Sequence, residues 1–127
     1  MTHSTFDRYI NWFWTTHILR TLNAKSEEYS TENDKLHNFK RAGKIDNITS
    51  ERALWGMDLK HRTSIADMVD ELDNEIYCTI DKWVEKITDH INYCLLLLAL
   101  VYELYYGTQV DEMFSEHTES SSDTVTV

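Results

Sequence analysis

From Asp81 to Tyr106 the chain reads DKWVEKITDHINYCLLLLALVYELYY, with neither proline nor glycine to interrupt it. Its apolar residues recur at helical spacing, so it predicts one long helix. At about 100° per residue, Ile80, Val84, Ile87, Ile91, Leu95 and Leu98 share one stripe, which is expected to face the core. Asp81, Glu85, Asp89 and Asn92 fall on the neighbouring stripe, in line with Leu96 and Leu100 one turn further on. The carboxylates therefore stand at the mouth of a surface that another helix should cover. A carboxylate there is costly unless it is paired, hydrogen-bonded or bound to a metal, which makes this stripe the strongest functional lead in the chain.

The rest of the sequence has the same helical character. It has no proline in 127 residues and glycine only at positions 43, 56 and 107, which argues for an all-α fold. Ser4 to Tyr29 predicts a first long helix capped by Ser4, with Phe6, Ile10, Trp14, Ile18 and Leu22 at every fourth position. A polar segment follows and contains a short helix, Asp34 to Ala42, ended by Gly43. Thr49 or Ser50 caps a second long helix, whose core stripe is Leu54, Met57, His61, Ile65, Met68 and Leu72. Asn74 to Tyr77 turns the chain, Thr79 caps the third long helix, and Gly107 ends it. The expected architecture is a bundle of three long helices plus a short one over residues 1–107. Val110 to Phe114 adds at most a turn, and the acidic segment 108–127 is expected to be a disordered tail.

Charge and composition narrow the function. The net charge is −10, which argues against a broad basic face for duplex nucleic acid. The segment from Thr108 onward holds five acids and no Lys or Arg. Basic residues gather at Lys35 to Lys44 and at Lys60-His61-Arg62. Cys78 and Cys94 lack metal-type spacing and read as buried thiols in a reducing cytoplasm. The apolar run from Cys94 to Tyr102 is short for a bilayer span, and no basic-then-apolar stretch near residue 1 suggests secretion. Four Trp, seven Tyr and four Phe are more than a small monomeric bundle easily hides, so a homo-oligomer is expected.

Three sets of residues carry candidate chemistry. Lys60 and His61 stand at the border of an apolar stripe and a polar face. There the lysine can act as a mobile point charge on a phosphate and the histidine as a hydrogen-bond donor; a solvated lysine paired with Asp67 or Asp58, beside a core histidine, explains them equally simply. The polar segment supplies Glu28, Tyr29, Glu32, Lys35, Asn38 and Phe39. Asn38 can read a base or ribose edge, and Tyr29 or Phe39 can stack on a base, unless Leu36 and Phe39 merely pin a charged connector to the core. Glu85 and Asp89, one turn apart, repel unless a cation lies between them. Mg²⁺ accepts two or three carboxylates and keeps several waters, although Lys82 and Lys86 can neutralise the same pair.

Three motifs carry a resemblance. They are E-E-Y…D-K-L-x-N-F from Glu27 to Phe39, A-L-W-G-x-x-x-K-H-x-x-S-I-x-D-M from Ala53 to Met68, and E-K-I-x-D-x-I-N-Y-x-x-L-L-x-A-L from Glu85 to Leu100. Together they resemble small phage and prophage proteins related to the nucleotide-modification-associated, MazG-like group of all-α NTP pyrophosphatases. That resemblance implies a Mg²⁺ site that cleaves nucleoside triphosphates between the α- and β-phosphates. It makes Glu28, Glu85 and Asp89 candidate metal ligands, with Glu85 and Asp89 catalytic. Lys60 and His61 become phosphate contacts and Asn92 a substrate contact. The family hallmark is E-x-x-E followed by E-x-x-D, whereas Glu28 and Glu32, like Glu85 and Asp89, are four residues apart. A protein that sequesters a host immune signalling nucleotide without cleaving it, and a structural oligomer with no ligand, are the alternatives.

Overall fold

A computed structural model describes residues 1–29 and 34–120 and, among these, the side chains of all but 25–29 and 116–120. The first helix is capped two residues before the expected position. The Thr2 hydroxyl, not Ser4, accepts the Thr5 N–H at 3.1 Å, and α1 runs His3–Phe13. A π turn, Trp14–Ile18, joins it to α2, Leu19–Tyr29. Thr15 donates its hydroxyl to the Asn11 carbonyl at 2.8 Å, and such back-bonding competes with the regular ladder.

Helix α3, His37–Asp46, ends four residues later than predicted. Asn47, at φ 57° and ψ 44°, takes the left-handed terminal position. Gly43 lies buried within the helix and has a different task. A Cβ there would stand 2.8 Å from the Ile48 carbonyl oxygen and 3.1 Å from the Ser50 nitrogen, so the residue lets the chain turn closely over α3. Gly43→Ala is expected to lower the unfolding free energy by about 1–3 kcal/mol through this overpacking, as measured by urea denaturation.

Thr49 caps α4, Ser50–Met57, by accepting the Arg52 N–H. The single helix expected here is two, because the ladder is broken at Asp58 before α5, Leu59–Asp73. Asp58 is only 1% exposed, and His90 and Arg62 hold its carboxylate at 2.8 and 3.5 Å. Of the stripe expected on this segment, Leu54, His61 and Met68 are buried, while Met57 and Leu72 stay exposed.

Helix α6 runs Ile80–Tyr106, capped by Thr79 and ended by Gly107 at φ 57°, as the sequence predicts. A 3₁₀ turn, Gly107–Gln109, leads into α7, Val110–Ser120, which is longer than the single turn expected; residues 121–127 lie outside the described residues. Every one of these elements is helical, so the chain is all-α. α2, the π turn, α4 and α5 all pack on α6, whereas α3 packs on α4. By length and composition alone, the continuous helical run Ile80–Ser115 would reach across a membrane. It is also the run on which α2, the π turn, α4 and α5 pack, and Asp89, Asn92 and Glu103 lie along it.

The rotation of α6 differs from expectation. Its buried residues are Thr88, Asp89, Asn92, Tyr93 and Leu100, so the C-terminal half of the carboxylate stripe faces inward while Asp81 and Glu85 stay exposed. Of the apolar stripe, Val84, Ile87, Ile91 and Leu95 are half-buried and its two ends, Ile80 and Leu98, are 73% and 50% exposed. Helices α4 and α5 present His61 and Asp58, which complement Asp89 and His90 and give these polar groups of α6 partners at the packed face. Leu36, Phe39, Leu54, Tyr93 and Leu100 form the core.

Lys40 ties α3 to α6, with its ammonium 2.7 Å from Asp34 and 2.8 Å from Glu103. Partial burial opposes charge on both Asp34 and Lys40, but their hydrogen bonds and mutual attraction prevail. The Asp34 carboxyl is held below its ordinary 3.8 and the Lys40 ammonium above its ordinary 10.5. Asp34 therefore adds stability that is present above pH 3.8 and lost as pH falls through its lowered pKa. Lys40 adds stability that is present below pH 10.5 and lost as pH rises through its raised pKa. Asp34→Asn is expected to cost at most about 1 kcal/mol at pH 7, since the pair is a third exposed. The difference from wild type should shrink as denaturation is repeated towards pH 3.

Candidate functional site

Helices α5 and α6 bring two spaced sets of side chains face to face. Lys60, His61 and Ser64 come from adjacent turns of α5, and Glu85, Lys86, Asp89 and Tyr93 from three turns of α6. Together they line a cleft of about 220 Å³. The His61 ring lies 5.2 Å from the Tyr93 ring, tilted by 38°. Its Nδ1 is 3.8 Å from an Asp89 carboxylate oxygen, close enough for attraction but too long for a direct hydrogen bond. Tyr93 in turn meets Phe39 edge-on at 6.4 Å, so the floor of the cleft rests on the core. At the rim, the Lys86 ammonium is 3.8 Å from Glu85, and both side chains reach solvent. The cleft thus joins a buried imidazole–carboxylate pair to two mobile ammonium groups, a donor set suited to an anionic, oxygen-rich ligand.

Four sequence-predicted site residues, Lys60, His61, Glu85 and Asp89, meet here. The other described ones do not. Phe39 is fully buried and serves as core rather than as a base-stacking surface. Asn38 is exposed on α3 and lines neither this cleft nor the groove that holds Lys35. That groove, of about 410 Å³, lies between α2, the start of α3, and α6, with Asp34, Leu96 and Glu103 among its walls. Asn92 is 4% exposed, below Asp89 and outside the cleft lining. Neither its amide oxygen nor its nitrogen has a hydrogen-bond partner among the described residues. The side chains of Glu28 and Tyr29, and all of Glu32, lie outside the described residues. The proposed metal set of Glu28, Glu85 and Asp89 therefore rests on two visible carboxylates, and no group of three or more possible metal ligands occurs among the described residues.

Lys86 is found beside Glu85, as the counter-charge that the sequence offered for it, whereas Tyr93 was not singled out as a site residue by sequence reasoning. Tyr93 continues the spacing of Glu85 and Asp89 by four more residues, which is the signal that could have found it. Asp58 also proves to be no partner of Lys60. Arg62 donates to the Trp55 carbonyl at 2.8 Å and lies 3.5 Å over the Trp55 ring, and with His90 it fastens Asp58 at the joint of α4 and α5. Cys94, expected to be buried, is exposed, with its sulfur 3.8 Å from His90 Nε2. Partial desolvation and the nearby Asp58 charge push its thiol pKa up, against a smaller pull from Arg62, so the thiol stays protonated at neutral pH.

Comparison of the chain with protein-family models, with curated proteins and with solved structures finds no match.

Proposed function

We propose that the α5–α6 cleft binds the phosphate chain of a nucleotide. The observation that carries this reading is that Lys60, His61, Glu85 and Asp89 line one cleft although up to 29 residues of chain separate them. Lys60 reaches in from the rim as a point charge, and His61 donates from the wall. The cleft is smaller than the roughly 300–1,000 Å³ of pockets that enclose whole drug-sized ligands, so it suits a di- or triphosphate, with the nucleoside lying outside it. Three residues after Asp89 on α6, the buried Asn92 amide has no hydrogen-bond partner among the described residues, a state that costs about 1–3 kcal/mol.

The motif resemblance favours hydrolysis of a nucleoside triphosphate to the monophosphate and pyrophosphate. Glu85 and Asp89 would then hold Mg²⁺, which would supply neutralisation of phosphate charge and a lowered pKa for an attacking water. Two carboxylates suffice for Mg²⁺ if phosphates and waters complete its shell. A second reading, sequestration of a signalling nucleotide by a phage protein in the host cytoplasm, is favoured by the Lys86 ammonium beside Glu85, which neutralises that carboxylate without a metal.

Incubating the full chain with nucleoside triphosphates and with cyclic dinucleotides, with and without Mg²⁺, separates these readings by chromatography. Pyrophosphate formed only with Mg²⁺ is the expected result. Intact nucleotide released on heating would favour sequestration, and free nucleotide throughout would discard both.

A further inference from the structure

A second cluster of titratable groups lies where the joint of α4 and α5 meets α6, and its thiol, Cys94, lines neither the α5–α6 cleft nor the α2–α6 groove. The Asp58 carboxylate, 1% exposed, stands 2.8 Å from His90 Nδ1. A carboxylate only accepts, so the imidazole donates through Nδ1 and keeps the lone pair on Nε2. That lone pair meets the Cys94 sulfur at 3.8 Å, within reach of a weak S–H hydrogen bond. His90 and Cys94 stand one turn apart on α6, and Cys94 is exposed. A thiol, an imidazole and a buried carboxylate in that order form the arrangement that activates a nucleophile.

The surroundings set the direction of proton flow. The raised pKa of the thiol keeps the proton on sulfur at rest, so attack needs a base to remove it. The same basicity makes the sulfur a stronger nucleophile once the proton has gone. Asp58 stabilises the imidazolium that forms. Its Oδ1 has no hydrogen-bond partner among the described residues, and its Oδ2 is shared by His90 and, at 3.5 Å, by Arg62. Acyl transfer fits this set less well. It needs donors for a developing oxyanion, and Arg62 is committed to the Trp55 carbonyl, the Trp55 ring and Asp58. Exchange with a disulfide develops charge on sulfur alone and needs only an exposed thiol and its base.

We infer that Cys94 is a thiol–disulfide exchange site for small disulfides, with His90 as its base and Asp58 as the positioning residue. His90 Nε2 takes the thiol proton while the Cys94 sulfur attacks one sulfur of the disulfide. A bond forms between those two sulfurs, and the disulfide's own S–S bond breaks. The departing sulfur leaves with the electron pair and takes the proton from His90. Cys94 is thereby oxidised to a mixed disulfide, and the other half of the small disulfide is reduced to a thiol. The site does not depend on what the α5–α6 cleft binds.

The test treats the full chain with oxidised glutathione at neutral pH and follows the adducts at Cys94 and at the half-buried Cys78 by mass spectrometry of digests. Folded wild-type Cys94 is expected to react roughly a hundredfold faster than Cys94 in the same chain unfolded by urea, the lower end of what a positioned base contributes. Exposure alone cannot give that order, because unfolding exposes the thiol fully. His90→Gln, shown to be folded by circular dichroism, should lose the lead at Cys94 and leave the Cys78 rate unchanged. Asp58→Asn should lose it too, since its amide can donate to Nδ1 and hold the ring in the other tautomer. Folded wild-type Cys94 that reacts no faster than unfolded Cys94 overturns the inference, as does a lead that survives His90→Gln. Should either substitution disturb the fold, Cys78 speeds up with it, and the wild-type comparison of folded with unfolded chain still decides.

Discussion

Phe39→Ala is expected to lower the unfolding free energy by about 3–5 kcal/mol, the usual cost of deleting a buried phenyl ring. Phe39 has no exposed surface and sits in the core with Leu36, Leu54, Tyr93 and Leu100. Its ring meets Tyr93 edge-on, and Tyr93 forms part of the cleft. Loss of the ring therefore removes support from the cleft as well as from the core. Chemical denaturation followed by circular dichroism reads the effect. A loss under about 1 kcal/mol would mean that the ring is not core, and would reopen its reading as a base-stacking surface. Phe39→Leu, which keeps most of the volume, should recover most of the stability.

Lys60→Ala is expected to weaken nucleoside triphosphate binding by about 1.5–3 kcal/mol, the value of a hydrogen bond to a charged group, which is roughly ten- to hundredfold in Kd. Lys60 is exposed and its removal leaves the core untouched, so stability should change by no more than about 0.5 kcal/mol. Asp89→Asn divides the two readings of the cleft. If Mg²⁺-dependent hydrolysis holds, turnover disappears. If sequestration holds, affinity changes little and EDTA has no effect. His61 lies against Tyr93 and near Asp89, so its replacement should reduce binding and stability together.

What was legible in the sequence was what local chemistry decides. Thr49, Thr79 and Gly107 mark helix ends through their own hydroxyls or backbone freedom, and each is found in that role. The break at Asp58 was not legible, because the helical spacing of Leu54, Met57, His61 and Ile65 runs on through it. Nor was the rotation of α6. Counting apolar residues selected the Ile80–Leu98 stripe, which is only half-buried, while Asp89 and Asn92 on the neighbouring stripe are buried, Asp89 beside His61 of α5. A pattern within one helix carries no record of what faces it. The same division runs through the site. Glu85 and Asp89 share a face by their spacing, and Lys60 and His61 are neighbours in sequence, so each pair was visible alone. That the pairs meet across α5 and α6 is tertiary. Lys35, Asn38 and Phe39 were grouped with them by residue type and by the motif resemblance, and the chain at the start of α3 carries these residues to a groove, an outer face and the core respectively.

The most direct test of the cleft is calorimetric titration of the full chain with a nucleoside triphosphate, comparing wild type with Lys60→Ala and Lys35→Ala. Saturable binding that is kept by Lys35→Ala and lost by Lys60→Ala is the result this account predicts. Binding lost with Lys35 and kept without Lys60 would move the ligand to the α2–α6 groove and contradict it.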